Sequence, residues 1–333
     1  MDLVKREGEK FFAGNTPHLA SGVVFTVAFS LFLIYTLIVC IRYHQWWWLG
    51  SWGIGLVLEV TGYAGRIWYT KNDTSRSAYI MELVCITVAP CFLMAGIYYI
   101  LAQLVLIYGT KYSYLKPMHY SLIFIICDWI SILVQAAGGG VAAGESSSNE
   151  STSLGSNIMV GGLAFQVFTI TIFQYLWYSF LYKVYKAGKL HGDSKFNPQF
   201  AHVRNRRFLT PFFIGISITV ILIYTRSIYR LIENSMGFVS RLSTQEIYFD
   251  LLEGMLVALS GLIMCFCSPG PIYGSDAHLK LNKNAFKDPF EQEQNVDDSV
   301  SDAVNSLAFS VNDEREERKG SYLFNEESPV SPL

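Results

Sequence analysis

Along the chain, apolar residues collect into seven long runs separated by shorter polar intervals, at about 19–41, 46–65, 78–108, 117–143, 156–182, 208–232 and 246–268. Each run reaches the roughly 20 mostly apolar residues that a helix needs to cross a bilayer. In hydrocarbon, only helices and closed barrels satisfy their own backbone groups. The pattern therefore predicts an all-α, polytopic membrane protein with seven transmembrane helices. The first run has no charge, is too long for the apolar core of a cleaved signal peptide, and is expected to remain as a helix. Pro90 and Pro211 fall inside the third and sixth runs, where a missing N–H and a ring clash predict kinks.

Composition agrees with a lipid solvent. Of 333 residues, 51% are hydrophobic and 16% are charged, against about 25% charged in ordinary soluble domains. A cytosolic enzyme or a nucleic-acid binder does not fit. Residues 276–333 hold 13 acids and 6 bases, leaving 14 acids and 19 bases before them, so the net charge of −2 joins a basic region to an acidic tail. The expected organisation is an external segment over 1–18, the seven-helix bundle over 19–268, and a disordered acidic cytosolic tail over 269–333.

Sidedness follows from Lys and Arg in the loops. One side carries thirteen, with Lys183, Lys186, Lys189, Lys195, Arg204, Arg206 and Arg207 in the fifth loop; the other carries seven. This places the N-terminus outside and the tail in the cytosol. The glycosylation sequons at Asn72 and Asn149 both fall in loops assigned to the outside. Trp46, Trp47, Trp48, Trp177 and Tyr178 sit where interfacial aromatic belts are expected.

Charged side chains in lipid are costly, so those within the runs point to partners or a cavity. Glu59, Gly62, Tyr63 and Arg66 share one helical face, as do Asp128, Ser131 and Gln135, and Arg226, Arg230 and Glu233. Gln166 lies in the fifth run, and Glu246, Asp250 and Glu253 open the seventh. Glu59, Arg66, Glu82, Arg226, Arg230, Glu233, Glu246, Asp250 and Glu253 are assigned to the outer half, with Asp128 near the midplane. Six acids against three arginines there predict an outward-opening cavity that favours a cationic group. Arg66 with Glu59 and Arg230 with Glu233 are alternative, structural ion pairs. The run Gly138–Gly140 permits close helix contact or a break beside a cavity.

The chain has no phosphate-binding loop for direct ATP use, no clustered histidines for zinc, and no recognisable nucleophile elbow. No enzyme activity, catalytic residue, cofactor or metal is expected. The six cysteines lie in apolar runs without metal or redox spacing, and are expected to pack as small hydrophobes.

Several ordered segments resemble the fungal RTA-like family of lipid-translocating exporters over about 46–271. They are Glu59-Val60-Thr61-Gly62-Tyr63-Ala64-Gly65-Arg66, then Val88-Ala89-Pro90 with Ala95 and Tyr98. Asp128-Trp129-Ile130-Ser131 and Gln135-Ala136-Ala137-Gly138-Gly139-Gly140 follow, then Gly162-Leu163-Ala164-Phe165-Gln166, and Arg226 with Tyr229, Arg230 and Glu233. The stretch Ile223–Leu231 and the Ser/Thr-rich fourth loop are most similar to the subgroup linked to sphingoid long-chain base export. The chain departs from the family pattern at Asp250, an extra acid, and at Ser268-Pro269-Gly270, where histidine-proline-glycine can occur. The resemblance implies seven helices, an external N-terminus and a multi-pass plasma-membrane protein that moves amphiphilic lipids outward and confers resistance to them. Its implied partners are membrane lipids, sphingoid bases or other cationic amphiphiles, and no nucleic acid. Asp128, Glu59, Gln135, Gln166, Asp250 and Glu253 are the expected substrate-binding residues, with Arg66, Arg226, Arg230 and Glu233 as structural ion-pair residues. The rival reading is a heptahelical sensor of lipid or toxic amphiphile that signals through the tail; a membrane-embedded lipid enzyme is a third.

Overall fold

The computed structural model describes residues 19–71, 76–114, 117–147, 153–191, 196, 200, 204, 209–236 and 250–273, all within one compact unit spanning Met1–Lys280. The N-terminal segment, the sequons at Asn72 and Asn149, Glu246, most of the fifth loop and the acidic tail lie outside these residues.

Among the described residues the backbone is helical. We label the long helices α1 (Leu19–Tyr43), α2 (Ile54–Lys71), α3 (Arg76–Tyr108), α4 (Pro117–Ser147), α5 (Ser153–His191), α6 (Leu209–Ser235) and α7 (Leu256–Phe266). A helical turn at Trp46–Trp48 and a π-helical turn at Leu49–Gly53 lead into α2, and a π-helical segment at Asp250–Met255 leads into α7. Six spans are long and apolar enough to cross a membrane, among them Leu19–Tyr43, Ile80–Tyr108 and Asp250–Ile272. The remaining helix is α2, whose Glu59, Arg66 and Lys71 dilute its apolar character. With its leading turns it runs from Trp46 to Lys71, about 39 Å at 1.5 Å per residue, long enough for a bilayer. The chain is an all-α, multi-pass membrane protein.

Consecutive helices pack as neighbours, α1 on α2, α2 on α3, α3 on α4 and α4 on α5, while α6 contacts α5 and α7, and α7 returns to α1. Small residues set the closest approaches. A Cβ on Gly62 would lie 2.5 Å from the Ile86 side chain, so the α2 face carrying Glu59 and Arg66 is drawn tightly onto α3. A Cβ on Gly138 would lie 2.5 Å from the Met159 backbone nitrogen, whereas Gly139 and Gly140 face open space. Of the two outcomes open to the glycine run, Gly138 takes close packing, against α5, and α4 stays helical through it.

The proline and tryptophan expectations need correction. Pro211 lies in the first turn of α6, where an N–H has no intrahelical partner to lose, so it has no reason to kink the helix. Trp48 and Trp52 are buried and stacked with centroids 5.0 Å apart, and Trp177 is buried with its indole N–H donating to Ser217 Oγ at 2.9 Å. Only Trp46 and Tyr178 of the proposed belt residues are exposed. Successive residues of a helix point about 100° apart, so Trp46, Trp47 and Trp48 cannot all face lipid headgroups.

Candidate functional site: a carboxylate cavity and a buried ion-pair cluster

The polar stripes do turn inward. Glu59, Arg66, Glu82, Asp128, Ser131, Gln135, Gln166, Arg226, Arg230 and Glu253 are all buried. They form two neighbourhoods.

The first is a cavity of about 280 Å³ between the turns leading into α2, the middle of α3 and α4. Trp47, Gly50 and Ser51 line it from the first, Cys91, Phe92, Ala95 and Tyr99 from α3, and Ile125, Asp128, Trp129 and Ile132 from α4. Four aromatic rings stand in its wall: Trp47 and Tyr99 have ring centroids 4.4 Å apart, and Phe92 meets Trp129 edge-on at 6.3 Å. Asp128 is the ionisable carboxylate in this wall. It is 3% exposed, and neither oxygen has a well-aligned hydrogen bond, although the Tyr98 hydroxyl lies close enough to interact with it. No described ion pair involves Asp128.

Beside the cavity, three helices are tied by side chains. Gln135 Nε2 of α4 donates to Gln166 Oε1 of α5 at 3.0 Å, and Gln166 Nε2 donates to Cys91 Sγ of α3 at 3.1 Å. Ser131 Oγ returns to the Cys127 carbonyl. Cys91 therefore lines the cavity on one side and meets the glutamine pair on the other.

The second neighbourhood joins α2, α3, α6 and the segment before α7. Arg66 Nη1 meets Glu82 Oε1 at 2.9 Å, and Arg66 Nη2 meets Asp250 Oδ1 at 3.5 Å. Arg226 Nη2 donates to Glu253 Oε1 at 2.7 Å and Arg230 Nε donates to the same oxygen at 2.6 Å, while Arg230 Nη1 reaches Glu233 at 3.3 Å. The Arg230–Glu233 pairing expected from spacing is present. Arg66 is paired differently, turning to α3 and the α7 segment instead of to Glu59 on its own helix. Glu59 is 1% exposed, takes part in none of the described ion pairs, and leaves Oε1 without a hydrogen bond, yet it feels the charges of Arg226, Arg230 and Glu253.

Pro90 explains one further contact. A proline supplies no N–H to the carbonyl four residues earlier, which in α3 is that of Ile86. Arg226 Nη2 donates to this carbonyl at 2.6 Å, so the guanidinium replaces the missing helical donor while also holding Glu253.

Of the expected binding residues, the structure places Asp128 on the cavity and Gln135 and Gln166 behind it, and separates them from Glu59, Asp250 and Glu253, which sit in or against the cluster. The sequence reading passed over the aromatic wall, Cys91, and the pairing roles of Glu82 and the Ile86 carbonyl. Pro90 was the available signal for the last, since it identifies the carbonyl left to be satisfied.

A family model described as RTA1-like protein matches residues 52–276, which contain the charged cluster, the glutamine pair and most of the cavity wall. The chain belongs to the RTA1-like family. This RTA1-like protein is 32% identical over 281 aligned positions to the sphingoid long-chain base transporter RSB1 of Saccharomyces cerevisiae, covering 78% of this chain and 73% of that one. It is also similar to Protein RTA1 of the same yeast, 27% identical and covering 65% and 63% of the two chains, and to Protein RTM1, 24% identical and covering 63% of each. No solved structure matches it.

Proposed function

We propose that this protein moves a cationic, single-chain amphiphile, a sphingoid long-chain base, through the plasma membrane toward its outer side, and so confers resistance to it. The observation that carries the reading is Asp128: a buried carboxylate with no cationic partner among the described residues, in a cavity whose wall includes four aromatic rings. An ammonium group supplies the missing positive charge and hydrogen-bond donors, and the faces of Trp47, Tyr99 and Trp129 add cation–π attraction. Likeness to the yeast sphingoid long-chain base transporter supports the same chemistry.

The cavity volume is near the lower end of about 300–1,000 Å³ for small-molecule sites. It suits a head group, with the aliphatic tail leaving between α3 and α4 toward lipid. Gln135 and Gln166 already hydrogen-bond to each other; a substrate hydroxyl reaches them by displacing that bond. Glu59, Asp250 and Glu253 act behind the head-group site, through the bundle, in this reading.

The test is efflux of labelled sphingoid base from cells, with resistance to the same base, at matched surface expression. Asp128→Asn is expected to abolish the protein-dependent part of both and Asp128→Glu to retain a measurable fraction. Unchanged efflux in Asp128→Asn would remove the carboxylate from its central role.

A further inference from the structure

The charged cluster has a property that ion pairing leaves over. Glu59, Glu82, Glu233, Asp250 and Glu253 face Arg66, Arg226 and Arg230, formally two negative charges in excess within a mostly buried region. The second oxygen of Glu253 already lacks a hydrogen bond, yet Glu253 is held by two guanidinium groups. Among the described residues Glu59 is the carboxylate of this cluster with no such partner, and the buried Tyr63 hydroxyl one turn along α2 also makes no hydrogen bond. An uncompensated buried carboxylate is costly unless it gains a proton or a cation.

The surroundings of Glu59 are well defined. On α2 it has Tyr63, from α3 Cys85, from α6 Arg226 and Arg230, and from the segment before α7 Glu253; Arg66, Glu82, Glu233 and Asp250 complete the same cluster through their own ion pairs. From α1, Phe25 and Phe29 pack on the Tyr63 ring. The charge of Glu59 therefore bears most directly on Arg226. That arginine is shared between Glu253 and the Ile86 carbonyl freed by Pro90, and Cys91, one residue beyond the proline, lines the cavity that contains Asp128.

We infer that Glu59 is a proton-exchange site that couples proton movement to amphiphile movement, making the protein a proton-linked exchanger. Uptake of a proton by Glu59 removes its pull on Arg226, which settles on Glu253 and the Ile86 carbonyl and holds the Pro90 region of α3 closed. Release of the proton restores the carboxylate, draws Arg226 away, and leaves the Ile86 carbonyl unsatisfied, so α3 bends at Pro90 and changes the cavity wall beside Asp128. The two sites are thus joined by one side chain and one hinge. A transmembrane proton gradient supplies the energy that a chain without a phosphate-binding loop must take from elsewhere.

The inference rests on the transport reading above, and its test separates the two. Purified protein in liposomes is loaded with labelled natural sphingoid base, and substrate flux and internal pH are followed together, with protein-free liposomes measuring the passive crossing of the neutral amine to be subtracted. The expected result is a fixed number of protons moved per substrate, and faster flux down an imposed pH gradient than after the gradient is collapsed with a proton–potassium exchanger. Glu59→Gln is expected to lower the proton-to-substrate ratio at least tenfold, with Glu59→Asp retaining coupling. Because a ratio is read, partial loss of folded protein does not imitate the effect. If Glu59→Gln fails to fold, dependence of wild-type flux on the gradient decides. Substrate flux without proton movement, or a ratio unchanged by Glu59→Gln, overturns the coupling and leaves the transport reading standing. No protein-dependent flux of the base overturns both.

Discussion

Replacing Glu253 with Gln removes the single negative charge on which Arg226 and Arg230 converge while keeping the side chain's size. The Glu253 side chain is wholly buried, with Arg226 3% and Arg230 9% exposed, so water cannot replace the lost charge. Breaking a buried ion pair from one side costs about 3–5 kcal/mol because the partner charge stays buried. At roughly 2 °C per kcal/mol, the lower end for chains of about 150–250 residues, about 3 kcal/mol lowers the unfolding midpoint by roughly 5–6 °C. The internal control is Glu233→Gln, which weakens a longer, partly buried contact at 3.3 Å within one helix and leaves Arg230 held by Glu253, so its cost is the smaller of the two. Thermal unfolding of both variants in the same detergent, followed by tryptophan fluorescence, gives the comparison. A Glu253→Gln midpoint within about 2 °C of the Glu233→Gln midpoint would refute the claim that Glu253 anchors the cluster.

Three other outcomes are expected. Gly138→Val, whose Cβ would press on the α5 backbone, destabilises the protein by several kcal/mol, while Gly140→Val, facing open space, changes the unfolding midpoint by no more than a degree or two; both are read by thermal unfolding. Pro90→Ala returns an amide N–H to the Ile86 carbonyl in competition with Arg226, so stability changes by under about 1 kcal/mol while sphingoid-base efflux falls severalfold. If the loops carrying Asn72 and Asn149 face the secretory lumen, glycosidase treatment shifts the protein's mass, and Asn72→Gln with Asn149→Gln removes the shift; no shift in the wild type withdraws that support for an external face.

Helix existence was readable because each apolar run reaches the length a bilayer requires; helix ends were less so. The fifth run was placed at 156–182, but α5 continues to His191 because Lys183, Lys186 and Lys189 end an apolar window without ending a helix. The inward stripes were also legible, since Asp128, Ser131 and Gln135 share a face by period alone, and all three are buried. What could not be read was which helices meet. Arg66 has a carboxylate seven residues away in Glu59, yet it turns to Glu82 and Asp250, because the orientation of α2 against α3 and α7 decides which acid lies within reach. The same limit hid the cavity, whose wall combines positions more than 80 residues apart, from Trp47 to Ile132.

The role of Asp128 is tested most directly by the affinity of the isolated protein for the substrate head group. Equilibrium binding of a labelled sphingoid base to purified protein in lipid nanodiscs, compared between wild type and Asp128→Asn, measures it. A charge-assisted hydrogen bond is worth about 1.5–3 kcal/mol, so the substitution is expected to weaken binding by roughly 10- to 150-fold, with Asp128→Glu intermediate. Equal affinity for the wild type and Asp128→Asn, with both proteins folded, would contradict the assignment of Asp128 as the ammonium-binding carboxylate.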